Sequence, residues 1–190
     1  MRLFLAISLP GEVRLLLKQA QARLREAADT KGIGWTNPEQ LHLTLVFLGE
    51  TEASAAGELA RRFERIASEA AAIELSLDGF GMFPNETRPR VLWAGVASAG
   101  DELPDLQRAF EIAAADALKA EKQKKWSAHI TLARFRDCDR QAIRRIRDAT
   151  RETKMPAARW TAPTVDLVRS DLGAPGATHT VLRRFLLGNS

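Results

Sequence analysis

Two copies of one short pattern, His-hydrophobic-Thr-hydrophobic, occur in this chain of 190 residues. One copy begins at His42 and the other at His129, so together they hold two of the three histidines. In an extended strand alternate side chains share a face, and each copy therefore presents its histidine and its threonine on one side. Imidazoles titrate near neutral pH, and hydroxyl groups can donate hydrogen bonds to an oxyanion. Two such strands facing one another would form a general acid–base site that needs no metal ion.

A single copy of this pattern would be weak evidence, because a histidine in a sheet is more often structural. The threonines also have a structural explanation, since β-branched residues favour strands. Burial of a histidine and a threonine costs free energy unless both are hydrogen-bonded, so a repeated offset favours function over core packing. Two such histidines, here His42 and His129, can work on a phosphate ester, one neutral and accepting a proton from the nucleophile and the other charged and protonating the leaving oxygen. Thr44 and Thr131 would hydrogen-bond the nonbridging oxygens.

The hydrophobic periodicity predicts the elements that position these residues. Strands are predicted around the motifs at 41–48 and 128–135, with further strands within 1–9 and at 73–80, 90–96, 164–170 and 179–187. Amphipathic helices are predicted over 11–28, 53–70, 103–119 and 139–150. The order of elements repeats, and the motif histidines are 87 positions apart, close to half the chain. We therefore treat an internal duplication about a pseudo-twofold axis as a hypothesis.

The composition favours one compact domain, 1–190, with a polyanionic partner. The formal net charge is +4 and the pI about 9.6, which suits nucleic acid although solubility alone could explain it. Cys138 is the only cysteine, so a disulfide within the chain is impossible and a cytoplasmic location is expected. The apolar run near the N-terminus ends at Pro10, too early for a secretory signal or a membrane span.

Both motif segments resemble the signatures of a known superfamily. Residues 37–50, NPEQLHLTLVFLGE, and 129–135, HITLARF, are similar to those of the two-histidine phosphoesterases. The branch that they most resemble is the RNA 2′,3′-cyclic phosphodiesterases, also called 2′-5′ RNA ligases. The likeness extends over nearly the whole chain, because residues 2–7, 88–96, 167–170 and 180–182 also resemble that branch.

The resemblance implies an α+β fold of two pseudo-symmetric lobes, each an antiparallel sheet packed with helices, around a central cleft that carries the two motifs. It implies opening of a 2′,3′-cyclic phosphate at an RNA end to a 2′-phosphate, without cofactor or metal, and the reverse 2′-5′ ligation by the same groups. His42 would be the proton donor, His129 the proton acceptor, and Thr44 and Thr131 the phosphate-binding residues, with Arg134 assisting. The partner would be an RNA with a cyclic phosphate terminus, such as a tRNA half, bound by a monomer.

The chain departs from that branch at two places. Ser127-Ala128 stands where a His-Pro pair often precedes the second motif, so the entry to that strand loses the rigidity of proline. His179 stands where an aromatic residue, commonly tyrosine, is expected, and the chain contains no tyrosine. These departures bear on substrate contacts rather than on the acid–base chemistry.

Several residues near the motifs allow two interpretations. Strand parity turns Arg134 away from His129 unless a bulge intervenes, so phosphate contact and solvated surface are equally good hypotheses. Trp35 and Trp126 could stack on a base, although core packing is the favoured interpretation. The basic residues of 122–125 could collect RNA phosphates or form a solvated charge run. Two other residues are given structural roles, Phe47 in the core by parity and Cys138 as filler rather than a nucleophile.

Two other functions stay open at this stage. One is a phosphodiesterase of the same superfamily that acts on a small cyclic-phosphate nucleotide. The other is a noncatalytic RNA-binding module whose histidines contact phosphate without turnover. An assay on mononucleotide and oligonucleotide substrates separates the first from RNA-end hydrolysis, and binding without hydrolysis at any pH would favour the second.

Overall fold

The computed structural model describes residues 1–27, 31–119, 125–173 and 177–188. One curled antiparallel sheet is packed with four helices. The strands are β1 (Arg2–Ser8), β2 (Ile33–Trp35), β3 (His42–Glu50), β4 (Ile73–Phe83), β5 (Val91–Ser98), β6 (His129–Phe135), β7 (Arg159–Ala162), β8 (Thr164–Leu172) and β9 (Ala177–Leu186). The helices are α1 (Gly11–Glu26), α2 (Ala53–Glu69), α3 (Glu102–Leu118) and α4 (Arg140–Glu152), with a 3-10 turn at Pro38–Gln40.

The two strands that begin with the motif histidines lie side by side at the centre of the sheet. The strand order is β7-β4-β5-β6-β3-β1-β8-β9, and β2 pairs with β6 off this path. In this order three strands, β5, β4 and β7, lie beyond β6, and three, β1, β8 and β9, lie beyond β3. The predicted α+β class is confirmed, and the order of strands is symmetric about the line between β3 and β6.

The prediction of two separate sheets is wrong, because hydrogen bonding continues from β3 to β6. Their pairing is short, with Leu43 opposite Ile130 as the one paired position. The rest of this edge of β6 is taken by β2, which pairs through Ile33 with Phe135 and through Trp35 with Ala133. A three-residue strand that precedes β3 in sequence thus crosses to the other half of the sheet, which the periodicity of so short a segment cannot predict.

Apolar stripes on the four helices pack against the sheet and form its main core. Phe63 of α2, Phe110 of α3 and Phe185 of β9 are fully buried, and the Phe63 ring contacts both of the others edge to face. In α4 the buried residues Ala142, Ile146 and Ala149 recur at helical spacing, as an amphipathic helix requires. The helix predictions are confirmed to within two residues at each end, whereas β7 was not predicted. Within the described ranges, no helix is long and apolar enough to cross a membrane.

Candidate active site

The pairing of Leu43 with Ile130 brings the two motifs together. Extended by one residue in each direction, this antiparallel register sets His42 across from Thr131 and Thr44 across from His129. All four side chains are half-buried, whereas Leu43 and Ile130 are fully buried on the helix-packed side. The cleft, defined here as the sheet face that carries these histidines and threonines, therefore has the four side chains that the sequence predicted.

Both histidines make the same hydrogen bond. Nδ1 of His42 lies 2.7 Å from the carbonyl oxygen of Gln40, and Nδ1 of His129 lies 2.8 Å from that of Ser127. A carbonyl oxygen only accepts, so each Nδ1 must carry its proton and donate it. Each Nε2 is then left to take up or release the proton that chemistry requires. The same carbonyl, two residues before the histidine, fixes the tautomer in both halves.

His42 lies among other rings. Phe4 of β1 stacks on it with ring centroids 4.9 Å apart, and His179 of β9 approaches edge-on at 5.2 Å. Burial is the largest influence and lowers the pKa of His42 from 6.5 to about 4, against the hydrogen bond to Gln40, which raises it. Charges on neighbouring histidines and on Arg134 lower this pKa further. His42 is therefore neutral in the free protein at neutral pH.

His129 has an aromatic surrounding of its own. Phe83 contacts it edge-on with centroids 5.0 Å apart, and Trp93 lies at 6.3 Å. Burial again lowers the pKa of this histidine, the hydrogen bond to the Ser127 carbonyl raises it, and the charge of Arg134 lowers it. Both imidazoles thus start as neutral groups in an apolar setting, where an anionic ligand would favour their charged form.

A β-bulge in each motif strand changes which side chains reach the cleft. On β6, Thr131 pairs with Trp93 but Ala133 pairs with Leu92, so Leu132 is an extra residue. The bulge reverses the alternation and turns the exposed Arg134 to the face of His129. Arg134 therefore lies near enough to the cleft for its charge to lower the pKa of both motif histidines, while phosphate contact stays a prediction.

The equivalent bulge on β3 corrects the prediction for Phe47. Thr44 pairs with Ala6 and Val46 with Leu5, so Leu45 is the extra residue and the strand alternation shifts after it. Phe47 consequently lies on the cleft face with 61% of its surface exposed, not in the core. Its ring is 6.3 Å from that of Phe4. Simple parity counting failed here because it assumes a regular strand.

Two buried glutamines hold the carbonyl groups of the bulge residues. Nε2 of Gln21 in α1 donates to the carbonyl of Leu132 at 2.9 Å, and Nε2 of Gln107 in α3 donates to that of Leu45 at 3.3 Å. The carbonyl of Leu132 also accepts from the backbone N–H of Thr36 at 2.9 Å, so Gln21 is its second donor. Gln21 comes from α1, which follows β1, and Gln107 comes from α3, which follows β5; each reaches the motif strand in the other half of the sheet.

Gly95 allows the backbones of β4 and β5 to approach closely beside His129. It is the Cα partner of His129, and a Cβ atom built on it would lie 2.1 Å from the carbonyl oxygen of Asp78. Asp78 and Gly79 form a bulge in β4, and Gly79 has a φ of +64°. The backbones of β4 and β5 therefore meet beside His129 without room for a side chain.

The other residues singled out by sequence have mainly structural positions. The indole N–H of Trp126 donates to the carbonyl of Thr44 at 3.1 Å, and Trp35 packs against the core beneath the guanidinium of Arg25. Burial raises the pKa of the half-buried Cys138 thiol, which disfavours a thiolate nucleophile. Lys125 is exposed, while Lys122 and Lys124 lie outside the described residues.

Sequence reasoning missed the ring contacts of the motif histidines and the two glutamines. The aromatic residues Phe4, Phe83 and Trp93 lie on neighbouring strands, far from the motifs in sequence. The resemblance did mark position 179 as aromatic, which was the one available signal for a ring beside His42. A buried glutamine on an apolar helix stripe was a further, unused signal. No group of three or more candidate metal ligands is found among the described residues.

The family model described as "LigT like Phosphoesterase" matches the chain twice, over 7–93 and 95–179, with one motif in each match. Two proteins named RNA 2′,3′-cyclic phosphodiesterase are similar over most of their length. The one from Thermus thermophilus is 35% identical, covering 98% of this chain and 90% of that protein. The one from Aquifex aeolicus is 28% identical, covering 90% and 92%. A solved structure from Thermus thermophilus superposes with a TM-score of 0.81 at 31% identity, covering 98% of each chain.

Proposed function

Because this chain belongs to the LigT-like phosphoesterase family, we propose that it hydrolyses the 2′,3′-cyclic phosphate at an RNA end to a 2′-phosphate. The observation that carries the proposal is the matched hydrogen bonding of the two motif histidines, whose Nδ1 atoms both donate to a backbone carbonyl. Two Nε2 atoms are thereby offered to one cleft. The family relationship supplies the substrate class.

In the proposed reaction one histidine acts on the attacking water and the other on the leaving 3′ oxygen. Nε2 of His129 takes a proton from water as the water oxygen attacks phosphorus, and Nε2 of His42 gives a proton to the 3′ oxygen as its bond to phosphorus breaks. Proton transfer of this kind contributes typically about 10²–10⁴-fold for each group. With a 5′-hydroxyl RNA end in place of water as the nucleophile, the same transfers in the same direction break the bond from phosphorus to the 3′ oxygen and form a 2′-5′ bond.

The remaining cleft residues bind the phosphate. The hydroxyls of Thr44 and Thr131 donate hydrogen bonds to its nonbridging oxygens as negative charge develops there. Arg134, turned to the cleft by the β6 bulge, adds a guanidinium that can pair with two phosphate oxygens at once. These contacts stabilise the transition state without requiring a metal ion.

Substrate binding also prepares the proton donor. In the free protein the pKa of His42 is about 4, so the donor is mostly neutral at pH 7. A phosphate anion bound beside the ring favours the imidazolium and raises that pKa. His42 is thus protonated mainly when a phosphate is bound in the cleft. It can therefore act as a proton donor mainly toward bound substrate.

Hydrolysis of an RNA oligonucleotide with a 2′,3′-cyclic phosphate end, in the presence of chelator, tests the proposal. Wild type should form the 2′-phosphate isomer, and His42→Ala and His129→Ala should each lower the rate by about 10² or more while keeping the fold by circular dichroism. A 3′-phosphate product would contradict the assigned bond cleavage. Turnover of a cyclic mononucleotide but no oligonucleotide would indicate a small-molecule enzyme, and binding without turnover an RNA-binding module.

A further inference from the structure

A groove rich in arginine lies next to the cleft, between α4, the connection from β4 to β5 and the end of β6. Its volume is about 980 Å³. Six exposed arginines line it: Arg88, Arg90, Arg134, Arg136, Arg140 and Arg144. None of the six forms an ion pair within the described part of the chain. We refer to it as the arginine groove.

Three separate elements contribute to the arginine groove. Arg140 and Arg144 are four residues apart on α4 and so share one helix face, and the Asp139 side chain caps this helix at its first turn. Arg88 and Arg90 follow a turn in which the side chain of Asn85 accepts two backbone N–H groups. The grouping of charge therefore comes from ordered elements rather than from one flexible run.

The charge of this groove is not balanced by its own lining. The one carboxylate that lines it, Glu86, pairs with Arg151. Like charges held close together repel one another, and a polyanion with charges at regular intervals relieves that repulsion along the whole groove. Guanidinium groups suit phosphate in particular, because they can donate two parallel hydrogen bonds to one phosphate group. A single phosphate would engage only a small part of this surface.

Arg134 connects the groove to the chemistry. It lines the groove, and its charge also lowers the pKa of both His42 and His129. A chain of phosphates whose last member lies at the histidines would pass Arg134 first and then reach the five other arginines. The groove therefore lies where the part of a substrate that precedes the reacting end would leave the cleft.

We propose that the arginine groove binds the sugar-phosphate backbone of the RNA segment preceding the cyclic phosphate. This inference rests on the proposed function, because it extends that same substrate beyond the reacting nucleotide. It assigns to the groove a preference for oligonucleotides over cyclic mononucleotides, which the two-histidine cleft alone would not provide.

The test compares two double charge reversals. Arg140→Glu with Arg144→Glu changes the groove, and Arg61→Glu with Arg65→Glu makes the same change in charge on exposed positions of α2, away from the groove. The readout is the ratio of kcat/KM on a decamer with a cyclic phosphate end to kcat/KM on a cyclic mononucleotide. The groove variant should lower this ratio by about tenfold, since each lost phosphate contact costs several-fold in affinity, and the α2 variant should leave it near the wild-type value.

A binding measurement separates failure of this inference from failure of the proposed function. The anisotropy of a labelled decamer ending in a 3′-hydroxyl requires no catalysis. The groove variant should bind it more weakly, with the slope of log affinity against log salt reduced by about 1.4 for two lost contacts to a single strand. Loss of binding without any wild-type turnover would uphold the groove while rejecting the activity.

Other outcomes would overturn the inference. An unchanged ratio in the groove variant, with both substrates turned over, would show that the groove does not hold RNA. If the α2 variant weakened binding of the decamer as much as the groove variant, the effect would come from the net charge of the protein and not from the groove. Binding of polyglutamate as tightly as RNA would identify an acidic-peptide site instead. Melting temperatures of both variants establish that each is folded.

Discussion

Phe47 and Arg134 occupy the same position relative to the two motif histidines, five residues after His42 and His129, and both face the cleft. Each is turned there by a bulge after the motif threonine. The cleft is therefore symmetric in its imidazoles and hydroxyls but asymmetric beyond them, with an exposed aromatic ring on one strand and a guanidinium on the other. A substrate that contacts both the Phe47 ring and the Arg134 guanidinium would therefore bind in only one orientation.

Removal of the Arg134 charge should raise the pKa of both motif histidines. The guanidinium lowers both values in the folded protein, so Arg134→Ala relieves that influence at His42 and at His129 together. NMR titration of the imidazole C–H signals measures this without substrate. Arg134→Lys, which keeps the charge, should leave both titrations near those of wild type. Unchanged values in Arg134→Ala would mean that the guanidinium lies too far from the rings to act on them.

The pH profile of kcat/KM should be bell-shaped, with its maximum on the acid side of 6.5. This profile reports the free protein, in which the pKa of each motif histidine lies below the ordinary 6.5. The ordinary pKa of histidine would centre the bell near neutral pH, and burial of both rings moves it to lower pH. Rates on a cyclic mononucleotide from about pH 4 to about pH 9, with chelator and constant ionic strength, provide the measurement. A maximum above 6.5, or a profile without a base limb, would contradict it.

An activated diester should distinguish the proton donor from the proton acceptor. The p-nitrophenolate ion leaves without protonation, so hydrolysis of bis(p-nitrophenyl) phosphate still needs a base to activate water but no acid. His42→Ala should therefore lose much less activity on this substrate than on a cyclic phosphate, whereas His129→Ala should lose activity on both. The reverse pattern would make His42 the proton acceptor and His129 the proton donor. Equal losses of activity on both substrates in both variants would contradict the assignment of one role to each histidine.

Replacing Gln21 by methionine should weaken the fold and slow the reaction. The substitution removes the side-chain donor to the bulge carbonyl of Leu132, and loss of a buried hydrogen bond costs about 1–3 kcal/mol. The bulge that presents Arg134 then loses part of its support, so kcat/KM should fall at temperatures well below unfolding. Gln19→Met, on the exposed face of the same helix, is the matched control. Full activity in Gln21→Met would mean that the backbone alone holds the bulge.

Loss of Arg184 should destabilise the protein more than loss of its neighbour Arg183. Asp166 is completely buried, and its carboxylate accepts from Nε of Arg184 at 2.7 Å and from the hydroxyl of Ser8 at 2.7 Å. Arg184→Ala leaves that charge without its cation and should cost about 2 kcal/mol, reduced by the partial exposure of the guanidinium. Arg183 pairs with Glu64 at the surface, so Arg183→Ala should cost under about 1 kcal/mol in urea unfolding. Equal costs would show that Asp166 is solvated.

The sequence predicted the elements better than the contacts between them. Helical and strand periodicity predicted all four helices and the motif strands, because burial of one face produces a regular spacing of apolar residues in the sequence. The faces of Phe47 and Arg134 could not be predicted, since each depends on a bulge fixed by pairing with β1 or β5. The contact of His179 with His42 depends on the position of β9 beside β8 in the sheet. Such contacts depend on strand order, which no local pattern encodes.

The meeting of the β4 and β5 backbones at Gly95 restricts how this chain can change over evolutionary time. Even alanine there would collide with the carbonyl of Asp78 and would force β4 or β5 to move, and His129 is paired with that point of β5. A substitution at position 95 would therefore disturb the two strands beside His129, although the residue has no side chain to take part in the reaction. The substitutions that this chain tolerates beside its second histidine are thus limited by the spacing of two strands, before any requirement of the chemistry applies.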